Sequence, residues 1–183
     1  MILFNGDLIF GFDNHTAREC LLAWGKENNF FELGDSDVTV DSNSAHTFIV
    51  MDPDERIVNQ IYDCVNKQAA LQNKTFAAQW TILKGLYTEI LSDKENSKDW
   101  FSIDPAGLSS QSSTLNRYKT INWKYVKLEE FNNLVVQYSL SNFTITDVPR
   151  TERDTIVHFV ASNLDILTEL YYNDYTLYNT ANS

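Results

Sequence analysis

"MILFNGDLIFGFDNHTA", residues 1–17, is the stretch whose reading sets the fold. Two apolar runs flank Asn5-Gly6, a dipeptide that tolerates positive φ at both centres of a tight turn, so the segment predicts a β-hairpin. A two-residue turn there opposes Phe4 with Asp7 and Leu3 with Leu8. The second strand runs into Asp13 and His15, and Thr16-Ala17-Arg18-Glu19 then has the form of a capping box. A helix over about residues 16–27 follows from it, with its apolar run starting at Cys20.

Downstream of this opening the pattern alternates between periods. "FFEL", "DVTVD" and "HTFIVM" between residues 30 and 51 read as strands, the last a near-continuous apolar run of the kind found in a buried strand. Asp52 can cap a helix opened by Pro53, with Asp54 and Glu55 facing the positive end of its dipole. Ile57, Ile61 and Val65 keep helical spacing behind them. A second long helix over 75–91 aligns Phe76, Trp80, Leu83, Tyr87 and Ile90. Residues 92–116 turn polar and read as irregular, the only internal boundary the chain suggests. "YKTINWKYVKL" alternates as a strand, a short helix covers 128–140, and "FTITDV" reads as a further strand. A last helix over 150–172 carries Ile156, Val160, Leu164, Leu167 and Tyr171. The expectation is one α+β domain over residues 1–183, with a mostly antiparallel sheet led by the hairpin and three to four longer helices packed on it.

Composition narrows the function classes. The 183 residues carry 25 acidic and 14 basic side chains, a net charge of −11. Glu32, Asp35, Asp37, Asp41, Asp52, Asp54, Glu55 and Asp63 crowd the segment 29–63, offset only by Arg56. Such a field repels phosphates and attracts basic protein surfaces, so direct nucleic-acid binding is disfavoured. The counterweight is "NRYKTINWKYVKL", where Arg117, Lys119, Lys124 and Lys127 interleave with Tyr118, Trp123 and Tyr125. Basic residues alternating with aromatics on a strand can track single-stranded nucleic acid, but on this chain the segment reads rather as a solvated sheet edge guarded by lysines, or as a self-association patch that meets the acidic segment of a second copy in a homodimer. Tyr171, Tyr172, Tyr175 and Tyr178 offer a further interface, or pack the end of the last helix on the core.

Catalytic signatures are sparse. Asp13 and His15 could share a divalent metal or an acid–base duty, yet the capping box accounts for the same letters. The phosphatase fingerprint DxDx(T/V) after an apolar strand is not met, since D13-N14-H15-T16 lacks the second acid. No HExxH, nucleophile elbow or glycine-rich phosphate loop occurs, and no cofactor or metal site is expected. Cys20 and Cys64 have no metal-ligand spacing and read as buried thiols of a reducing, cytoplasmic compartment. The N-terminus has no basic n-region, and no apolar run reaches a membrane span. The reading is a non-catalytic acidic module that binds a basic, nucleic-acid-binding surface of another protein. Phage-encoded inhibitors of restriction or CRISPR nucleases and immunity proteins share this composition. The alternatives are a metal-dependent hydrolase or nuclease centred on Asp13 and His15, and a structural or assembly protein of a phage particle.

Overall fold

A computed structural model describes residues 1–13, 18–33, 44–145 and 152–181. The chain divides into two compact units. The first comprises Met1–Asp52, Gln111–Asp147 and Thr176–Ser183, the second Pro53–Ser110 and Val148–Tyr175. One of the chain's passages between them, Ser110 to Gln111, falls inside the polar stretch 92–116.

Among the described residues the first unit is built on five strands: β1 (Ile2–Phe4), β2 (Leu8–Phe12), β3 (Phe31–Leu33), β4 (Ala45–Val50) and β5 (Lys124–Lys127). Their order is β3-β1-β2-β4-β5. The fold is α+β, but the sheet is mixed rather than mostly antiparallel. β1 pairs antiparallel with β2 and β3, whereas β2–β4 and β4–β5 are parallel. Parallel neighbours need long crossovers, and here the chain between β4 and β5 supplies one. The apolar run of β4 has its explanation in this position. Flanked by parallel strands, it buries Phe48 and Val50 on one face and Ile49 on the other.

The hairpin forms with a different register. Phe4 faces Ile9 and Leu3 faces Phe10, two places along from the pairing a two-residue turn dictates. The Asn5 side chain accepts from the backbone N–H groups of Asp7 and Leu8 (3.1 and 2.9 Å), and Gly6 takes φ +95°, which makes a longer loop. A two-residue shift preserves which side chains share a face, so the amphipathic pattern survives it. One face buries Leu3, Leu8, Phe10 and Phe12 against Leu21 and Trp24 of α1 (Arg18–Glu27) and Phe131 and Leu134 of α6 (Phe131–Gln137). The other buries Ile2, Ile9, Phe48 and Val50 with Tyr118, Ile121 and Trp123.

The second unit is helical around its own core of Ile57, Ile61, Val65, Trp80, Leu83, Tyr87, Trp100, Ile156 and Tyr171. α2 (Pro53–Leu71) starts with proline at its first position, and α3 (Phe76–Ile90) starts from Thr75, whose hydroxyl accepts from the Ala78 N–H at 3.2 Å.

Several local expectations are corrected. The stretch 92–116 is largely ordered: α4 (Lys94–Ser97) is capped by Asp93, and a 3-10 turn places Trp100 in the core. α5 (Gln111–Arg117) spans the end of that polar stretch, and of residues 118–128, read as alternating, only Lys124–Lys127 is strand. Residues 143–145 are not strand; Phe143 is held by a reciprocal amide pair with Asn132 (2.7 and 2.9 Å). The helix expected over 150–172 is two, α7 (Arg153–Ser162) and α8 (Leu164–Leu170), and α9 (Tyr172–Thr180) continues beyond it. Asn163 breaks the first, its side chain donating to the Phe159 carbonyl. The capping box at Thr16 and the strand "DVTVD" lie outside the described residues.

Candidate functional site

In an open sheet, ligands gather beyond the carboxyl ends of parallel strands. Here those ends belong to β2, β4 and β5, and they place Asp13, Asp52 and the Lys127–Glu129 corner on the first unit. Asp13 is buried at the end of β2. His15 lies outside the described residues, so its relation to Asp13 is not part of this geometry. The end of β4 is clamped by Gln111, whose amide donates to the Met51 carbonyl and accepts from its N–H at 2.8 and 2.9 Å. A fully buried side-chain amide thus takes the role of a further strand.

At the end of β5 the Tyr178 hydroxyl donates to Glu129, and the Lys127 ammonium sits 4.6 Å from the centre of the Tyr178 ring. Burial, the hydrogen bond to Glu129 and the charges of Glu129 and Asp52 all push the Tyr178 pKa up. The phenol therefore stays neutral, and the corner ties the end of α9 to β5. It does not present a base.

The titratable groups of the second unit are held the same way. Burial pushes the Cys64 thiol up, opposed by the hydrogen bond from the Tyr87 hydroxyl at 3.3 Å. Burial likewise raises Tyr87. A neutral buried thiol is not a nucleophile. Cys20 is only half-buried, unlike its expected state, and both cysteines are free thiols. Arg56 and Asp174 are both fully buried, with Arg56 Nη1 3.7 Å from an Asp174 carboxylate oxygen. Arg56 and Gln60 both donate to the Ser109 carbonyl, at 2.5 and 2.8 Å. This network fixes the segment leading out of the unit and has no exposed member. No local sequence signal marks it, nor the Gln111 clamp.

The acidic candidates fall into three groups. Glu32 is exposed on β3 and accepts two hydrogen bonds from Arg18 (3.0 and 3.2 Å). Asp52 ends the first segment of that unit, near Tyr178. Asp54 and Glu55 belong to the second unit, where Asp54 accepts from Tyr175 and Glu55 pairs with Arg153. Asp35, Asp37 and Asp41 lie outside the described residues. Ion pairing does not cancel the field: residues 1–52 hold nine acidic and two basic side chains, Arg18 included.

The basic candidates divide as well. Lys119 and Lys124 are exposed, Arg117 ends α5, and Lys127 is half-buried against Tyr178. Trp123 is a core residue, 8% exposed, packed edge-on to Phe48 at 5.7 Å, and so presents little surface. Of the C-terminal tyrosines, Tyr171 is buried and donates to the Leu108 carbonyl at 2.6 Å. Tyr175 and Tyr178 donate to Asp54 and Glu129, and Tyr172 alone is largely exposed.

Among the described residues, no group of three or more His, Cys, Asp or Glu is arranged to hold a metal ion, and no helix is long and apolar enough to cross a membrane. Comparison with protein-family models, with curated proteins and with solved structures found no match.

Proposed function

We infer that this chain is an acidic binding module that engages a basic surface on another protein. The observation that carries the reading is a charge pattern: residues 27–55 hold eight carboxylates and not one lysine or arginine. Within that stretch Glu32 is exposed on β3, Asp52 lies at the end of the first segment of the first unit, and Asp54 and Glu55 open α2 of the second. A surface of this kind captures partners that themselves bind nucleic acid, by occupying their phosphate-contacting residues. A cytoplasmic inhibitor of a nuclease, of phage or mobile-element origin, is the form of the proposal that best suits the composition.

The test is a substitution of Asp35, Asp37 and Asp41 by Asn together. The folded state, read by circular dichroism, is expected to persist. Binding to a partner captured from the host is expected to weaken and to lose most of its salt dependence. Binding indifferent to both the substitutions and salt would defeat the idea.

One observation favours a second reading, a metal-dependent hydrolase: Asp13 ends a strand that runs parallel to its neighbour β4, where α/β enzymes keep ligand carboxylates. Thermal melting with Mg²⁺, Mn²⁺ or Zn²⁺ separates the two. Metal-dependent stabilisation that Asp13→Asn abolishes supports the hydrolase; unchanged melting sinks it.

A further inference from the structure

Among the described residues the sheet ends at β3 on one side and at β5 on the other. Both edges belong to the first unit, and the chain segments that carry them are opposite in charge; on β3 itself the charge is Glu32, which also pairs with Arg18 of its own copy. β3 sits in the stretch 27–55, which has no basic residue apart from His46. β5 sits in the stretch 105–128, which holds Arg117, Lys119, Lys124 and Lys127 and no acid. An edge strand offers unpaired backbone groups, and single-sign charge is one way to decide what may pair with it.

We propose that the β5 edge of one copy accepts the β3 edge of a second copy, continuing the sheet head to tail. Direction supports this. β1 is antiparallel to both β2 and β3, and β2, β4 and β5 run together, so β3 and β5 point the same way. A copy displaced along the sheet therefore brings β3 beside β5 as a parallel strand without reversal.

Register supports it too. Glu32 pairs with Leu3, and Lys124 pairs with Thr47 next to Val126 on the same strand face, so Glu32 and Lys124 both lie on the face that carries α1 and α6. Setting Glu32 of one copy opposite Lys124 of the other makes an opposite-charge cross-strand pair. The same register brings Phe31 beside Trp123 and Leu33 beside Tyr125 on the other face. Phe31 is 69% exposed, a large apolar side chain that its own copy leaves in water. In this arrangement its exposed ring is covered, with the half-buried Tyr125 as its diagonal neighbour.

The geometry also selects against the two-fold alternatives. β5 against β5 sets lysine against lysine, and β3 against β3 sets acid against acid. Head-to-tail contact is heterologous, so it yields a ring or an open chain rather than a closed dimer. β3 and β5 are only three and four residues long, so the ladder is short and the assembly weak and concentration-dependent.

The experiment is sedimentation velocity over a concentration series at low and high salt. Wild-type protein is expected to form dimers and larger species that dissociate as salt rises. Lys124→Glu and Phe31→Ser change exposed side chains, and each is expected to weaken association about tenfold at low salt with an unchanged far-ultraviolet spectrum. Mixing Lys124→Glu with Glu32→Lys is expected to restore association between the two variants. A wild-type protein that stays monomeric throughout overturns the proposal. So does assembly that survives Lys124→Glu or tightens with salt. The basic-partner reading is tested at Asp35, Asp37 and Asp41, so the two can fail independently.

Discussion

Replacing Gly11 by alanine tests whether β2 and β4 pack as parallel neighbours. Gly11 lies directly opposite Phe48 in that pairing. A methyl group added there would sit 2.6 Å from Phe48 Cδ2 and 3.0 Å from Trp123 Cη2. Carbon atoms prefer separations of about 3.5–4.0 Å, so the Phe48 ring has to retreat by about 1 Å. It has nowhere to go. Phe48 is fully buried, and Trp123 packs against it at a ring separation of 5.7 Å. Overpacking of this kind costs about 1–3 kcal/mol. Loss of glycine's freedom in the unfolded chain returns about 0.4–1 kcal/mol, which leaves a net destabilisation of about 1–2 kcal/mol. For a chain of this size that corresponds to a fall in melting temperature of about 5 °C. Urea unfolding followed by tryptophan fluorescence, which reports on Trp24 and Trp123 of the first unit as well as Trp80 and Trp100 of the second, is the assay. In the Gly11→Ala background, Phe48→Leu is expected to be cheaper than in the wild type by at least about 0.5 kcal/mol, because the smaller side chain vacates the contested space. A Gly11→Ala protein as stable as the wild type, with no such coupling, would refute the packing.

Two further outcomes follow from buried polar groups. Asp174→Ala leaves Arg56 charged and enclosed, and is expected to cost about 3–5 kcal/mol in chemical denaturation; replacing both residues by apolar ones should recover much of that loss. Tyr87 and Tyr178 have folded pKa values above the value near 10 of a free phenol. The stability they contribute is therefore complete below about pH 10 and is lost as pH climbs beyond it. Above pH 10, wild-type protein is expected to lose stability faster than Tyr87→Phe, by about 1.4 kcal/mol per pH unit, in melts between pH 8 and 11.5. Parallel curves would remove Tyr87 from the account.

Much of the secondary structure was legible before the fold. Pro53 with Asp54 and Glu55 behind it, and the spacing of Ile57, Ile61 and Val65, mark α2 within a residue or two. The stripe from Phe76 to Ile90 marks α3 equally well. These signals act over three or four residues, and the groups that read them lie within the same turn. The candidate site was legible only as charge. Acid and base runs can be counted along a chain, but burial cannot. Trp123 and Tyr178 look like interface aromatics in sequence, yet one fills the core and the other spends its hydroxyl on Glu129.

By itself the sequence determined an acidic α+β chain, the existence of the hairpin and the extents of its two longest helices, because each rests on neighbours close in the chain. Tertiary structure decided the rest. Whether β4 pairs with β2 or with a hairpin partner depends on contacts many residues apart, whose reward appears only once the loop between them has closed. The hairpin register was settled by the Asn5 side chain taking the N–H groups of Asp7 and Leu8. Among the described residues, that pairing leaves β3 and β5 outermost and so puts chain segments of opposite charge at the two sides of the sheet.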